Sequence, residues 1–180
     1  MVEPFTVDKS TKYPHIYDDP QKTFKLKINE AYKKHPYLQT RYPKEQVFKQ
    51  IREEYDVYNK VGAIDFMLLE SFLREWEAQN DIQCGYGRGS VSGSLIAYIL
   101  GITQMDSMKF NLNFFRFMNP ARVTNADIDT DYCSKDREKI KYFLLHDKMG
   151  MSHIKTSEII TFFTIARKGA ITDVWRALHI

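Results

Sequence analysis

Cys84-Gly85-Tyr86-Gly87-Arg88-Gly89-Ser90 runs without a break into the small, apolar stretch that ends at Leu100, and this junction decides how the chain is read. Ile82-Gln83-Cys84 is too short for a helix and meets glycine directly, so it reads as a short strand. From Ser90 to Leu100, with Gly101 as the stop, the residues suit a buried helix. A strand, a glycine turn and a helix start make a seat for an anion. Glycines let backbone amides come close, and the first helical turn offers N–H groups and a favourable dipole. Ser90 adds a hydroxyl and Arg88 a charged planar fork. The pattern is not the dinucleotide fingerprint, which needs a third glycine where Ser90 stands. It is not a Walker A loop either, since no lysine follows the glycines. A glycine turn ahead of a helix also serves purely structural ends, and Gly93-Ser94 reads as tight helix packing.

Further along, Asp127, Asp129 and Asp131 alternate with Ile128 and Thr130. A period of two predicts a strand, on which residues i and i+2 share a face about 7 Å apart. Asp127 and Asp129 are therefore placed to grip metal ions roughly 4 Å apart, as phosphoryl transfer on two metals requires. A calcium loop is the nearest rival, with acids at positions 1, 3 and 5 and Glu138 at 12. Tyr132 occupies its sixth position, where a sharp turn demands glycine. A solvated acidic strand edge is the plain alternative.

Outward from these motifs the charge is uneven. Residues 84–180 hold 13 lysines and arginines against 9 acids, whereas residues 1–83 hold 13 against 14. A basic surround with a concentrated acidic spot suits a phosphate-handling metal site. Arg116 and Arg122 stand between the two motifs, and Lys135, Arg137, Lys139 and Lys141 follow them. Upstream, Asp19-Pro20 is a helix-start signal. Phe24, Ile28, Ala31 and Tyr32 follow at helical spacing until Pro36 and Pro43 break the pattern. A second helix runs from about Lys44 to Gly62, and a third carries Phe66 to Trp76 up to Asn80. Downstream, Ser134 caps a helix reaching about His146, Ile159-Ile160-Thr161-Phe162 reads as a strand, and Thr164 to Leu178 as a last helix. The expected class is α+β (mixed α/β), with an extended lead-in over 1–18, a helical segment over 19–80 and the phosphate loop and Asp-x-Asp strand in 81–180. At 43% hydrophobic residues the chain supplies a core. No run approaches the roughly 20 apolar residues of a membrane span, the start lacks signal-peptide regions, and Cys84 and Cys133 form no metal-ligand series. A cytoplasmic protein with reduced thiols is expected.

Three blocks together, Gly85 to Thr103, Phe115 to Val123 and Ala126 to Tyr132, resemble the alpha subunit of bacterial DNA polymerase III, the C family of replicative polymerases. The likeness begins near Tyr13 and is most specific over its central stretch. It implies that 81–180 is a partial palm of the polymerase beta-like nucleotidyltransferase type. On that likeness Gly89 and Ser90 match the Gly-Ser pair that holds the incoming triphosphate, and Arg116 an arginine that helps bind it. Asp127 and Asp129 match the first two catalytic, magnesium-binding carboxylates, and Asp131 a further acid with a less direct role. Arg88 and Arg122 are further candidates for phosphate contact. Ala126 departs from the family's usual proline, and Phe163 from its usual glycine.

The resemblance further implies deoxynucleotide transfer to a primer 3′ end by two-metal catalysis. Its partners would be primer-template DNA and dNTPs, with the sliding clamp and other replicase subunits beyond them. It also implies a third catalytic aspartate that the 180 residues do not supply, so the segment alone is expected to be inactive. Two other readings stand beside it. One is a non-catalytic module that binds nucleotide or nucleic acid. The other is a small-molecule nucleotidyltransferase recruiting Asp136 or Asp147.

Overall fold

The computed structural model describes residues 13–121, 127–158 and 167–178. Helix α1 (Pro20–Lys33) starts as its sequence predicts: the Asp19 carboxylate accepts from the Lys22 N–H at 3.0 Å and Pro20 takes the first position. Phe24, Ile28 and Tyr32 form its buried stripe. Pro36, read as a breaker, instead opens a second short helix, α2 (Pro36–Arg41), which buries Leu38. A proline at the first helical turn forfeits no hydrogen bond, so it starts a helix as readily as it ends one.

Helix α3 (Lys44–Lys60) buries Val47, Ile51, Glu54 and Tyr58 on one face. Helix α4 (Ile64–Gln79) buries Met67 and Leu68 together with Ser71, Arg74 and Glu77. These helices close over Leu95, Ile96, Phe114 and Phe117 to make one core. Tyr58 lies at its centre, edge-on to Phe24 at 5.9 Å and to Phe114 at 5.5 Å between ring centroids. Burying one such large side chain contributes about 1.5–3 kcal/mol.

The expected single helix from Ser90 to Leu100 is two pieces. Gly89–Gly93 is a 3-10 turn, and α5 spans only Leu95–Ile99. Ser94 separates them in an extended conformation and caps α5 with its own hydroxyl, which accepts from the Ala97 N–H. Two glycines within five residues and a good capping serine end one turn and start another. A further 3-10 turn, Phe114–Arg116, packs on the first, with Gly93 directly against the Asn113 carbonyl. Helix α6 (Ser134–Leu145) and helix α7 (Arg167–Leu178) complete the α-helices.

The mixed α+β class, and with it the partial palm, is overturned. Among the described residues there is no strand and no sheet, only an isolated antiparallel bridge between Cys84 and Tyr132. The alternation at Asp127–Asp131 does set side-chain direction: the three aspartates are exposed, while Ile128 packs against the core. Alternation specifies two faces but not a partner. A ladder needs a second backbone alongside, and this stretch bonds to one only at its Asp131 end.

The chain divides after Lys141, within α6, into two compact units. In the second unit Phe143, Met149 and Ile154 are buried, and α7 exposes Ile171, Val174, Trp175 and Leu178. The expected strand at Ile159–Phe162, Phe163, the start of the last helix, Arg122, Ala126 and most of the lead-in lie outside the described residues. No helix among the described residues is long and apolar enough to cross a membrane.

Candidate nucleotide and metal site

The glycine segment and the acidic segment meet. The Gly85 N–H donates to the Asp131 carbonyl at 2.9 Å, beside the Cys84–Tyr132 bridge. Four residues on, a Cβ placed at Gly89 would lie 3.6 Å from Asp129 Oδ2. Gly89 therefore sits next to the Asp129 carboxylate, although 40 positions separate the two in the sequence, and the half-buried Ser90 follows it in the same 3-10 turn. Neither Asp127, Asp129 nor the Ser90 hydroxyl has a hydrogen-bond or ion-pair partner among the described residues.

Arg88 reaches across the same junction and donates to Asp131 Oδ1 at 3.2 Å, with both side chains 65% exposed. An exposed pair of this kind is worth only about 0–1 kcal/mol, so little holds Arg88 to Asp131. Arg116 is exposed at the end of its 3-10 turn, which packs on the turn carrying Gly89 and Ser90. Arg122 lies outside the described residues. Asp136 is engaged elsewhere: the Cys133 thiol donates to it, as does Lys139 at 3.0 Å, and these hold its carboxyl below the usual range. Asp147 belongs to the second unit.

The path of the loop depends on Gly87. Its φ is +117°, and a Cβ there would fall 2.2 Å from the Thr103 hydroxyl. That hydroxyl cannot step aside, because it donates to the Tyr86 carbonyl and accepts from the Met105 N–H on a residue 1% exposed. We expect Gly87→Ala to lower the unfolding free energy by about 2 kcal/mol or more through overpacking and backbone strain together. Chemical denaturation checks it, and a loss under half a kcal/mol would contradict this geometry.

One expectation about the loop is corrected. The helix N-terminus that was to supply donors for an anion already holds one, from within the protein. Glu54, fully buried on α3, accepts from the N–H groups of Leu95 at 2.8 Å and Ile96 at 3.0 Å. It also accepts from the Ser94 hydroxyl at 2.7 Å and the Gln50 amide at 3.0 Å. Burial pushes its carboxyl above the ordinary range, and these four donors pull the other way. The Leu95 and Ile96 N–H groups at the start of α5 are thus taken by Glu54. Sequence reasoning missed Glu54, yet it carried a signal: an acid in register with Val47, Ile51 and Tyr58 on an apolar stripe.

A second group was missed in the same way. On α4, Arg74 pairs with Glu77 at 2.9 Å, and their side chains are only 7% and 2% exposed. Arg74 also donates a short hydrogen bond to the Tyr132 hydroxyl, which donates in turn to Glu77 at 2.6 Å. Glu70 lies beside them, its carboxyl raised by burial to about 7. This cluster fastens the residue that ends the acidic segment.

As a metal site, the residues offer hard oxygen donors. Among the described residues no three His, Cys, Asp or Glu side chains converge. Two exposed carboxylates without partners fit a magnesium ion whose remaining ligands are phosphate oxygens and water, its usual mode of binding.

The family model for the bacterial DNA polymerase III alpha NTPase domain matches residues 21–180. The chain belongs to this family. Relatives agree along most of its length. It is 38% identical over 135 residues to DNA polymerase III subunit alpha of Aquifex aeolicus, covering 75% of this chain and 11% of that protein. The Staphylococcus aureus subunit (strain MRSA252) is 41% identical over 130 residues, covering 72% of this chain and 12% of its own. For the Haemophilus influenzae subunit the figures are 40% over 130 residues, 72% and 11%. The chain therefore spans only about an eighth or less of these polymerase III alpha relatives, and the family match takes in both the glycine loop and the acidic segment.

Proposed function

We propose that this chain forms the triphosphate- and magnesium-binding part of a replicative DNA polymerase, which transfers deoxynucleotides to a primer 3′ end. The observation that carries the reading is the placement of Gly89, the residue before Ser90, beside Asp129. In this reading Asp127 and Asp129 hold the metal. Backbone N–H groups of the glycine turn and the Ser90 hydroxyl bind the triphosphate, with Arg88 and Arg116 against its outer oxygens. Magnesium held by Asp127 and Asp129 would supply positive charge against the phosphoryl oxygens and the attacking hydroxyl. Arg88 leaves Asp131 for the phosphate at little cost, and the protein's own groups align the chain of phosphates with the carboxylates. Sliding clamp and other replicase subunits remain partners of the whole polymerase in this reading.

The 180-residue chain alone is expected to bind DNA weakly and not to extend a primer. Two carboxylates position one ion, while in-line displacement needs both the attacking and the leaving oxygen clamped. DNA binding rests on phosphate contacts and falls steeply with salt, at roughly 0.9 logarithmic units per tenfold salt for each phosphate neutralised. The check is primer extension by the purified chain with magnesium and four dNTPs, beside titrations of labelled DNA at two salt concentrations. Templated extension lost in Asp127→Asn would contradict the expected inactivity, and salt-independent binding would contradict the electrostatic part.

A further inference from the structure

We infer that Glu54 is a positioning residue for the phosphate loop, acting through Ser94 and the first turn of α5. A buried carboxylate is costly unless paired, and no lysine or arginine pairs with Glu54 among the described residues. Its compensation comes from four hydrogen bonds instead, and three of these come from Ser94, Leu95 and Ile96. Those are the residues immediately after the Gly89–Gly93 turn.

The Ser94 hydroxyl extends the grip. It accepts from the Ala97 N–H at 3.0 Å and meets the Tyr58 hydroxyl at 2.6 Å, on a residue 0% exposed. Tyr58 is one helical turn beyond Glu54 on α3. One face of α3 thus fixes the C-terminal end of the loop at three consecutive residues. The N-terminal end is fixed by Gly85 on Asp131 and by Gln104, whose N–H donates to the Tyr86 carbonyl at 2.7 Å. Between those two anchors only Gly87 to Gly93 remain to set where the Ser90 hydroxyl and its neighbouring amides point. A buried anchor at one end decides that direction. A five-residue helix such as α5 is marginal alone. Burial of Leu95 and Ile96 holds it in the core, and the Glu54 hydrogen bonds set the direction of its first turn.

This inference rests on the proposed triphosphate role of the loop, and the two separate by experiment. Dissociation constants of the chain for dATP with magnesium, and for Mn2+ without nucleotide, are measured alongside thermal unfolding. Glu54→Gln puts an amide donor against backbone donors. It should weaken dATP binding about tenfold or more, the size of one or two lost buried hydrogen bonds. Mn2+ binding at Asp127 and Asp129 should stay within about twofold, because those carboxylates lie on another segment. Tyr42→Phe is the structural control. It loses a comparable bond, from a tyrosine hydroxyl to the buried Asp106 at 2.8 Å, and should lower the unfolding midpoint while leaving both affinities unchanged. Ser94→Ala keeps Glu54 and removes only the linking hydroxyl, so it gives the answer if Glu54→Gln does not fold. It should weaken dATP binding severalfold with the same split from Mn2+.

A folded Glu54→Gln or Ser94→Ala that binds dATP as the parent does would overturn the inference alone. Equal losses of dATP and Mn2+ binding would do the same, by showing general disruption. A parent chain with no affinity for dATP would overturn the triphosphate reading, and the inference with it.

Discussion

Asp127→Asn or Asp129→Asn should lower nucleotide transfer about a thousandfold in a complete DNA polymerase III alpha chain that carries this segment, the scale of losing preorganised charge at the reacting phosphate. Asparagine keeps the size of the side chain and removes the charge. Neither aspartate has a partner among the described residues, so the substitution disturbs little else and the loss falls on turnover. Asp131→Asn should cost much less. Its Oδ1 is already occupied by Arg88, and its backbone carbonyl, which the substitution keeps, makes the bond to Gly85. Steady-state kinetics across a magnesium titration checks this. Equal losses at all three positions would contradict the division of roles.

Glu77→Ala should be the most destabilising of the charge substitutions, by about 3–5 kcal/mol. It strands the Arg74 guanidinium, 7% exposed, without its closest counter-ion and removes the acceptor of the Tyr132 hydroxyl. The double variant Arg74→Met/Glu77→Leu should recover most of that loss, because it removes both charges and keeps the volume. Urea unfolding of the parent, single and double variants measures the difference. A double variant as unstable as Glu77→Ala would mean that the cluster stabilises by packing rather than by compensated charge. Because Tyr132 ends the acidic segment, the single variant should also weaken metal binding.

Helices α1, α3 and α4 were legible from local determinants, among them the Asp19 cap and the stripes of Phe24, Ile28 and Tyr32 and of Val47, Ile51 and Tyr58, whereas α2 was missed because Pro36 reads as a breaker. Those signals act within one or two turns, and neighbouring residues carry them. The class was not legible. Asp127 to Asp131 alternates as a strand does, and the exposure of the aspartates against the inward Ile128 obeys that alternation. A sheet, however, is a property of two backbones, and the pattern of one says nothing of the other. The run from Ser90 to Leu100 failed for a related reason. Composition showed that it was buried but not that Ser94 would leave the helix to meet Glu54, 40 residues earlier.

For the site, the residue types were readable and their service to one triphosphate implied that they meet, but the contacts that join them were not readable. Glycines, a serine and paired aspartates suggested phosphate and metal chemistry from residue type alone. Only the fold sets Gly89 beside Asp129 and Arg88 on Asp131. The supporting residues escaped notice because a Glu or Arg at a helix position is usually solvated. Glu54, Arg74 and Glu77 gave themselves away only by falling in apolar stripes.

The most direct test of one shared site is nuclear magnetic resonance of the 15N-labelled chain titrated with Mn2+ and dATP. A paramagnetic ion held by Asp127 and Asp129 broadens nearby amides wherever they stand in the sequence. Amides of Gly87, Gly89 and Ser90 and those of residues 127–131 should broaden together at the same Mn2+ concentration. Both sets should sharpen again in Asp127→Asn/Asp129→Asn. Broadening confined to residues 127–131, with the glycine turn unaffected by metal and nucleotide, would contradict a common triphosphate and metal site.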